Sequence, residues 1–258
     1  MLQNGSEMLR VERLMYISIK NPKRDAEPAA EDKKFIDMIE NVQANKAFYF
    51  SYHLDLTKRL QVTLQELLQQ AGEGNDSRVR SQWNQSSGGI DMPELAKMFP
   101  NSVNYVTKFA FNHNMLEEFK EIQYAPFRVP VIYGFVAMQS VNFKQSFILI
   151  SRKDCRRPGR RFIVRGLDRD GAAANFCETE HVLTYKNSKG GFTIAAHLQI
   201  RGSIPLQWSM KPTMKWAPAV VVHSNFDESF QAAKKHIAET NAEYKKQFFV
   251  NLIDKKGS

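Results

Sequence analysis

The sequence predicts an α+β fold: a mainly antiparallel β region with flanking helices, followed by the truncated start of an α/β layer. Three observations carry this. β-Branched and aromatic runs joined by short polar connections fill residues 129–200. Helical spacing of apolar residues is confined to the segments before and after them. A final helix leads directly into an apolar run near the C-terminus. Strands joined by short turns pair antiparallel, because parallel pairs need long crossovers.

In chain order, residues 31–45 place Phe35, Met38, Ile39 and Val42 on one helical face. Phe48-Tyr49-Phe50-Ser51-Tyr52 reads as a strand. Thr57 stands where it would cap a helix through Gln70, with Leu60, Leu64, Leu67 and Leu68 facing inward. Residues 71–91 are rich in Gly, Ser, Asn and Gln and read as a mobile loop. A further helix is expected over 103–121, with Val103, Val106, Phe109, Ala110, Met115, Leu116 and Phe119 as its apolar positions.

Five strands follow: Val129–Ser140, Phe147–Arg152, Arg161–Leu167, Asn175–Tyr185 and Phe192–Ile200. Asp168-Arg169-Asp170-Gly171 and Asn187-Ser188-Lys189-Gly190-Gly191 are turn signals between them. A helix over 226–246 sets Phe230, Ala233, Ile237 and Tyr244 on one side, with Asn225 as its cap and Glu228 completing a capping box. Phe248–Ile253 reads as a buried strand. One helix and one strand cannot bury both faces of an α/β layer. Residues 1–199 are therefore expected to form a first subdomain and 200–258 the incomplete beginning of a second. An apolar face left open there calls for a protein partner or leaves the chain poorly soluble.

The chain has 258 residues, 43% apolar and 24% charged, a composition of folded proteins. Its formal net charge of +9 favours anionic partners. Between Arg152 and Arg169 lie eight basic residues (Arg152, Lys153, Arg156, Arg157, Arg160, Arg161, Arg165, Arg169). Asp154 and Asp168 oppose them, leaving +6, two-thirds of the whole excess, in one segment. A charge spent in one segment rather than along a groove argues against nucleic acid as the partner. Two cysteines, Cys155 and Cys177, make no disulfide framework and suit a reducing compartment. Charged residues interrupt the N-terminus, so no signal peptide is expected. The longest apolar run, around Val129 to Met138, is far short of the ~20 residues that span a bilayer.

Cys155-Arg156-Arg157-Pro158-Gly159-Arg160-Arg161 fits C-x5-R, a pattern of phosphatases whose thiolate attacks phosphorus. That chemistry needs a loop running from a strand into a helix, whose N-terminus lowers the thiol pKa and binds the phosphate. Here Phe162-Ile163-Val164 reads as another strand, and Pro158 removes an amide from the cradle. A basic hairpin is the better reading. The six histidines (His53, His113, His181, His197, His223, His236) lack metal-ligand spacing. No Gly-rich nucleotide loop is present.

From Val129 on, several stretches occur in a telling order. They are Pro130-Val131-Ile132-Tyr133-Gly134-Phe135, Gly159-Arg160-Arg161-Phe162-Ile163-Val164-Arg165-Gly166-Leu167-Asp168 and Ala174-Asn175-Phe176-Cys177-Glu178-Thr179-Glu180. Arg201-Gly202-Ser203-Ile204-Pro205-Leu206-Gln207-Trp208 closes the series, and Phe48–Thr57 precedes it. In this order and spacing they resemble the Sac domain of phosphoinositide phosphatases, most of all its endoplasmic reticulum and Golgi branch. The likeness runs from about residue 35 to the end and weakens through 71–100.

The resemblance implies an N-terminal Sac subdomain followed by the start of the catalytic one, which Arg201, Gly202, Ser203, Ile204, Pro205 and Trp208 would open. It implies dephosphorylation of phosphatidylinositol phosphates, chiefly the 4-phosphate, by a cysteine nucleophile with no metal or other cofactor. The location implied is the cytoplasmic face of endoplasmic reticulum and Golgi membranes. The family's catalytic motif, of the form CxDCLDRTN, has no counterpart among these residues, so no catalytic residue is carried over. The chain is expected to be a fragment and inactive alone. Arg152, Arg156, Arg157, Arg160, Arg161 and Arg165 are the candidate contacts to phosphoinositides or an anionic membrane surface. The alternative is a non-catalytic phosphoinositide- or partner-binding module. Thr193–His197 read as an insertion that a strand must absorb as a bulge or loop.

Overall fold

The computed structural model describes residues 8–16, 30–52, 54–63, 65–66, 105–119, 128–142, 145–160, 163–186, 192–211, 213 and 218–252. The expected loop at 71–91, with His53, Leu64, Leu67, Leu68, Arg161, Phe162 and Ile253, lies outside them. The fold is α+β. Among the described residues the helices are α1 (Ala30–Gln43), α2 (His113–Glu117) and α3 (Phe226–Tyr244), with a further helical turn at 60–63. The strands are β1 (Leu9–Arg10), β2 (Phe48–Phe50), β3 (Ile132–Asn142), β4 (Gln145–Lys153), β5 (Cys177–Lys186), β6 (Phe192–Arg201), β7 (Trp208–Met210) and β8 (Val220–Val222).

Contacts along the backbone divide the chain into two compact units. Unit 1 holds Met1–Cys155 and Cys177–Ile200; unit 2 holds Arg156–Phe176 and Arg201–Ser258. Unit 1 is built on one sheet of order β1-β2-β3-β4-β5-β6, with β1 through β5 paired antiparallel. Alternation along β4 turns Ile148, Ile150 and Arg152 inward and leaves Phe147 outward. Tyr49, Leu54, Leu56, Ile132, Ile148, Ile150 and Val182 form the core beneath that face. Unit 2 pairs β7 with β8 and buries Leu167, Ala172, Ala173, Ala174, Phe176 and Ala232.

Several expectations are corrected. Among the described residues of the expected third strand, 163–166 form turns and bends, and Leu167 makes only an isolated bridge, to Ala173. The helix expected over 103–121 breaks into a 3-10 turn at Thr107–Phe109 and the short α2. Tertiary hydrogen bonds break it. Phe111 N–H donates to Val131 O (2.8 Å), and the Asn112 amide donates to Val129 O (2.9 Å) and accepts from Val131 N–H (2.8 Å). Thr57 is no helix cap. It is buried, donating to Asp55 Oδ1 (2.6 Å) and accepting from Val106 N–H (2.8 Å). The helical turn at 60–63 is capped instead by the Glu180 carboxylate, which accepts from Leu60 and Gln61 N–H at 3.0 and 3.1 Å.

Thr193–His197 lie inside β6 rather than in a loop, and β6 matches β5 at 10 residues each. Helix α3 starts at the expected cap, where Asn225 accepts from Glu228 N–H (3.2 Å). Its most buried residues are Ser229, Ala232 and Thr240, whereas Phe230 is exposed. The apolar face of α1 is likewise open, with Phe35 64% exposed. Residues 248–252 form no strand, and Phe248 is 93% exposed.

Candidate anion-binding surface

The basic segment is not one surface. Arg152, on the inward face of β4, is 0% exposed. Its Nη1 donates to Glu178 Oε1 (2.9 Å), and its Nη2 donates to Lys58 O (2.7 Å) and Glu180 Oε2 (3.1 Å). Nε donates to Leu56 O. Arg59 Nε lies 3.9 Å from Glu178. A guanidinium buried in this way spends its donors inside unit 1, because a charge leaves water only when paired and hydrogen-bonded. Arg152 is therefore corrected from a surface candidate to a core ion pair.

The loop after β4 is different. Arg156 and Arg160 are exposed; Arg157 and Arg165 are half-buried. Arg156 makes a two-pronged pair with Glu239 of α3, at 3.1 Å (Nη1–Oε2) and 2.8 Å (Nη2–Oε1). Arg157 Nη2 donates to Arg165 O (2.8 Å), while its buried Nε has no hydrogen-bond partner. Arg165 lies over the Trp208 ring, 5.3 Å from its centroid. Arg160 O accepts from Ile163 and Val164 N–H at 3.0 and 3.1 Å, which turns the chain back on itself.

Residues 201–208 brace this loop's exit. Ser203 Oγ accepts from Gly166 N–H (2.8 Å), Ser203 N–H donates to Ala174 O (3.0 Å), and Leu206 O accepts from Leu167 N–H (2.8 Å). Trp208 Nε1 donates to Ile204 O (3.3 Å). Arg201, Gly202 and Ile204 are exposed and Pro205 is half-buried. The motif's described contacts are thus structural.

Cys155 is half-buried and donates to Thr107 O (3.5 Å); the residues described after it, up to Phe176, contain no helix. Cys177 lies 3.0 Å from Ser151 Oγ on the neighbouring strand. Neither cysteine stands at a helix N-terminus. Among the described residues no group of three or more His, Cys, Asp or Glu is placed to hold a metal ion. His113 meets Tyr105 Oη (2.9 Å), His236 meets Gly171 O (2.9 Å), and the His181 and His197 rings lie 5.8 Å apart. Sequence reasoning missed Glu178, Glu180 and Glu239 as partners of arginine. The first two were legible as carboxylates two apart on one strand face. Nothing local marks Glu239.

No helix among the described residues is long and apolar enough to cross a membrane. The chain matches the SacI homology domain over residues 1–258. It is 32% identical over 232 residues, 88% of this chain, to phosphatidylinositol-3-phosphatase SAC1-B of Danio rerio. It is 28% identical over 254 residues, 95% of the chain, to phosphatidylinositol-3-phosphatase SAC1 of Saccharomyces cerevisiae. It is 26% identical over 260 residues, 98% of the chain, to phosphoinositide phosphatase SAC6 of Arabidopsis thaliana. These matches span 34%, 36% and 38% of the relatives' own lengths. With the whole chain matched and the fold α+β, this protein belongs to the SacI homology domain family.

Proposed function

We propose that this chain is the lipid-facing part of a phosphoinositide phosphatase, recognising phosphatidylinositol monophosphates at a membrane surface without itself supplying the nucleophile. The observation that carries this reading is the surface loop with Arg156, Arg157, Arg160 and Arg165 in a SacI homology domain. Basic groups near an anionic leaflet contribute about 1 kcal/mol each. Arg157 adds a buried Nε donor that a phosphate oxygen would satisfy. Arg161, between them in sequence, completes the set of candidates. In this reading residues 1–199 are the N-terminal Sac subdomain and residues 200–258 begin the catalytic one, acting at the cytoplasmic face of endoplasmic reticulum and Golgi membranes.

Turnover is assigned elsewhere than to the two cysteines of this sequence. A phosphatase thiolate needs an electropositive site at a helix N-terminus. Cys155 donates to the Thr107 carbonyl and Cys177 lies among hydroxyl groups, and neither stands at a helix N-terminus. The substrate expected from the branch resemblance is the 4-phosphate, whereas the relatives' names specify the 3-phosphate. Sedimentation with phosphatidylcholine vesicles carrying either lipid separates the two, and phosphate release is measured on the same samples. Binding to either lipid over neutral vesicles, with no phosphate released, is the expected result. Equal sedimentation with neutral and anionic vesicles would overturn the reading.

A second reading has its own observation. In unit 2, Val220, Val221, Val222, Phe226, Phe230 and Leu252 are all exposed, Leu252 at 88%. An apolar surface of this kind favours a protein partner. Concentration-dependent self-association that mild detergent abolishes would support that partner-binding role.

A further inference from the structure

We propose that Asn175 is the positioning residue of the basic loop, the latch that sets how Arg156, Arg157 and Arg160 are presented to phosphate. The proposal rests on the reading of that loop as the lipid contact. Asn175 commits three polar groups to three different parts of one loop. Its backbone N–H donates to Arg157 O on the outgoing limb (3.0 Å). Its Oδ1 accepts from Gly159 N–H at the turn (3.2 Å). Its Nδ2 donates to Val164 O on the returning limb (3.3 Å). The limbs also close on each other at Gly159, where any Cβ would lie 2.2 Å from Val164 Cγ2.

The latch itself stands on fixed backbone. Ala174 N–H donates to Gly166 O (2.9 Å), Phe176 N–H donates to Ala173 O (3.3 Å), and the Phe176 side chain is buried. Asn175 holds φ at +54°, the left-handed region that asparagine tolerates and most residues avoid. An amide is also the side chain that offers a donor and an acceptor together. Among the described residues 156–160 and 163–165 no strand ladder orders the arginines, and like charges in one loop oppose its closing. Hydrogen bonds from a neutral side chain oppose that repulsion without adding charge to an anion site.

Asn175→Gly is the discriminating substitution. It keeps the left-handed backbone and deletes both side-chain bonds, whereas Asn175→Ala also strains φ. Two readouts on the 258-residue chain test it. In Asn175→Gly, amide hydrogen exchange at 156–165 is expected to speed up about tenfold, the worth of a lost hydrogen bond, while β3, β4 and β5 stay protected. Binding to phosphatidylcholine vesicles containing phosphatidylinositol 4-phosphate should weaken about as much as in Arg160→Gln. Unchanged exchange in the loop overturns the latch. Faster exchange with wild-type vesicle binding overturns its role in presenting the arginines. A wild-type chain that ignores the phosphoinositide removes the lipid reading of the loop, and this proposal with it.

Discussion

Two arginine settings within one basic run show how differently a fold can use the same charge. At the end of β4, Arg152 is closed in by Glu178 and Glu180 and gives its donors to carboxylates and carbonyls. In the loop that follows, Arg156 and Arg160 face water, and Arg156 meets a carboxylate that is itself partly exposed. Strand alternation decides between them. Ile148, Ile150 and Arg152 share one face of β4, so the register that buries the isoleucines buries the arginine too. Where the strand ends, nothing forces the side chains inward.

Breaking the buried side has the largest expected effect. Arg152→Met leaves Glu178 and Glu180 in the interior without their central cation. It should cost about 3–5 kcal/mol of unfolding free energy, read by urea denaturation. A smaller loss is expected at the loop's exit. Gly166 has φ +67°, and a Cβ there would lie 2.7 Å from backbone atoms of Leu206 and Trp208. Gly166→Ala should therefore cost about 1–3 kcal/mol in the same assay.

The exposed ion pair should matter less. A double-mutant cycle on Arg156 and Glu239 is expected to give about 0.2–1 kcal/mol, falling towards zero in high salt. A coupling that salt leaves unchanged would mean the pair is as enclosed as Arg152. The smallest effect concerns Asp55. Burial raises its pKa, opposed by the hydrogen bonds from Thr57 N–H (2.9 Å) and Oγ1 (2.6 Å). With the folded pKa raised, the folded state holds the proton more tightly. The contribution of Asp55 to stability is then greatest below the unfolded carboxyl value and is lost as pH rises through the folded one. Asp55→Asn keeps an oxygen for both bonds and should flatten that decline, which thermal melts across acid pH would detect.

Patterning of single elements was legible in the sequence where local chemistry decided the outcome. The β3–β6 runs, the Asn225 cap of α3 and α1 itself follow from alternation, capping and helical spacing. Reading failed where distant groups decided. Residues 103–121 carry helical spacing, yet Asn112 takes up hydrogen bonds with the chain at Val129 and Val131. Ile163 and Val164 have strand propensity, yet their N–H groups turn back to Arg160 O. Thr57 has the identity of a cap, but Glu180 arrives from β5 to do that work. For the candidate site, the cluster of arginines was visible and their division was not. Asn175 looked like the first residue of a strand; its φ of +54° and its three bonds to the loop appear only once the chain is folded.

The central claim is that the loop, rather than net charge, recognises phosphoinositide. The direct test compares two variants of equal net charge: Arg156→Gln with Arg160→Gln in the loop, and Lys33→Gln with Lys34→Gln on exposed positions of α1. Each is titrated with phosphatidylcholine vesicles containing phosphatidylinositol 4-phosphate at constant ionic strength. The loop variant should lose about 2 kcal/mol of partitioning, at about 1 kcal/mol per arginine, while the α1 variant binds as wild type. Equal losses in both would contradict the claim and leave overall charge as the only attraction.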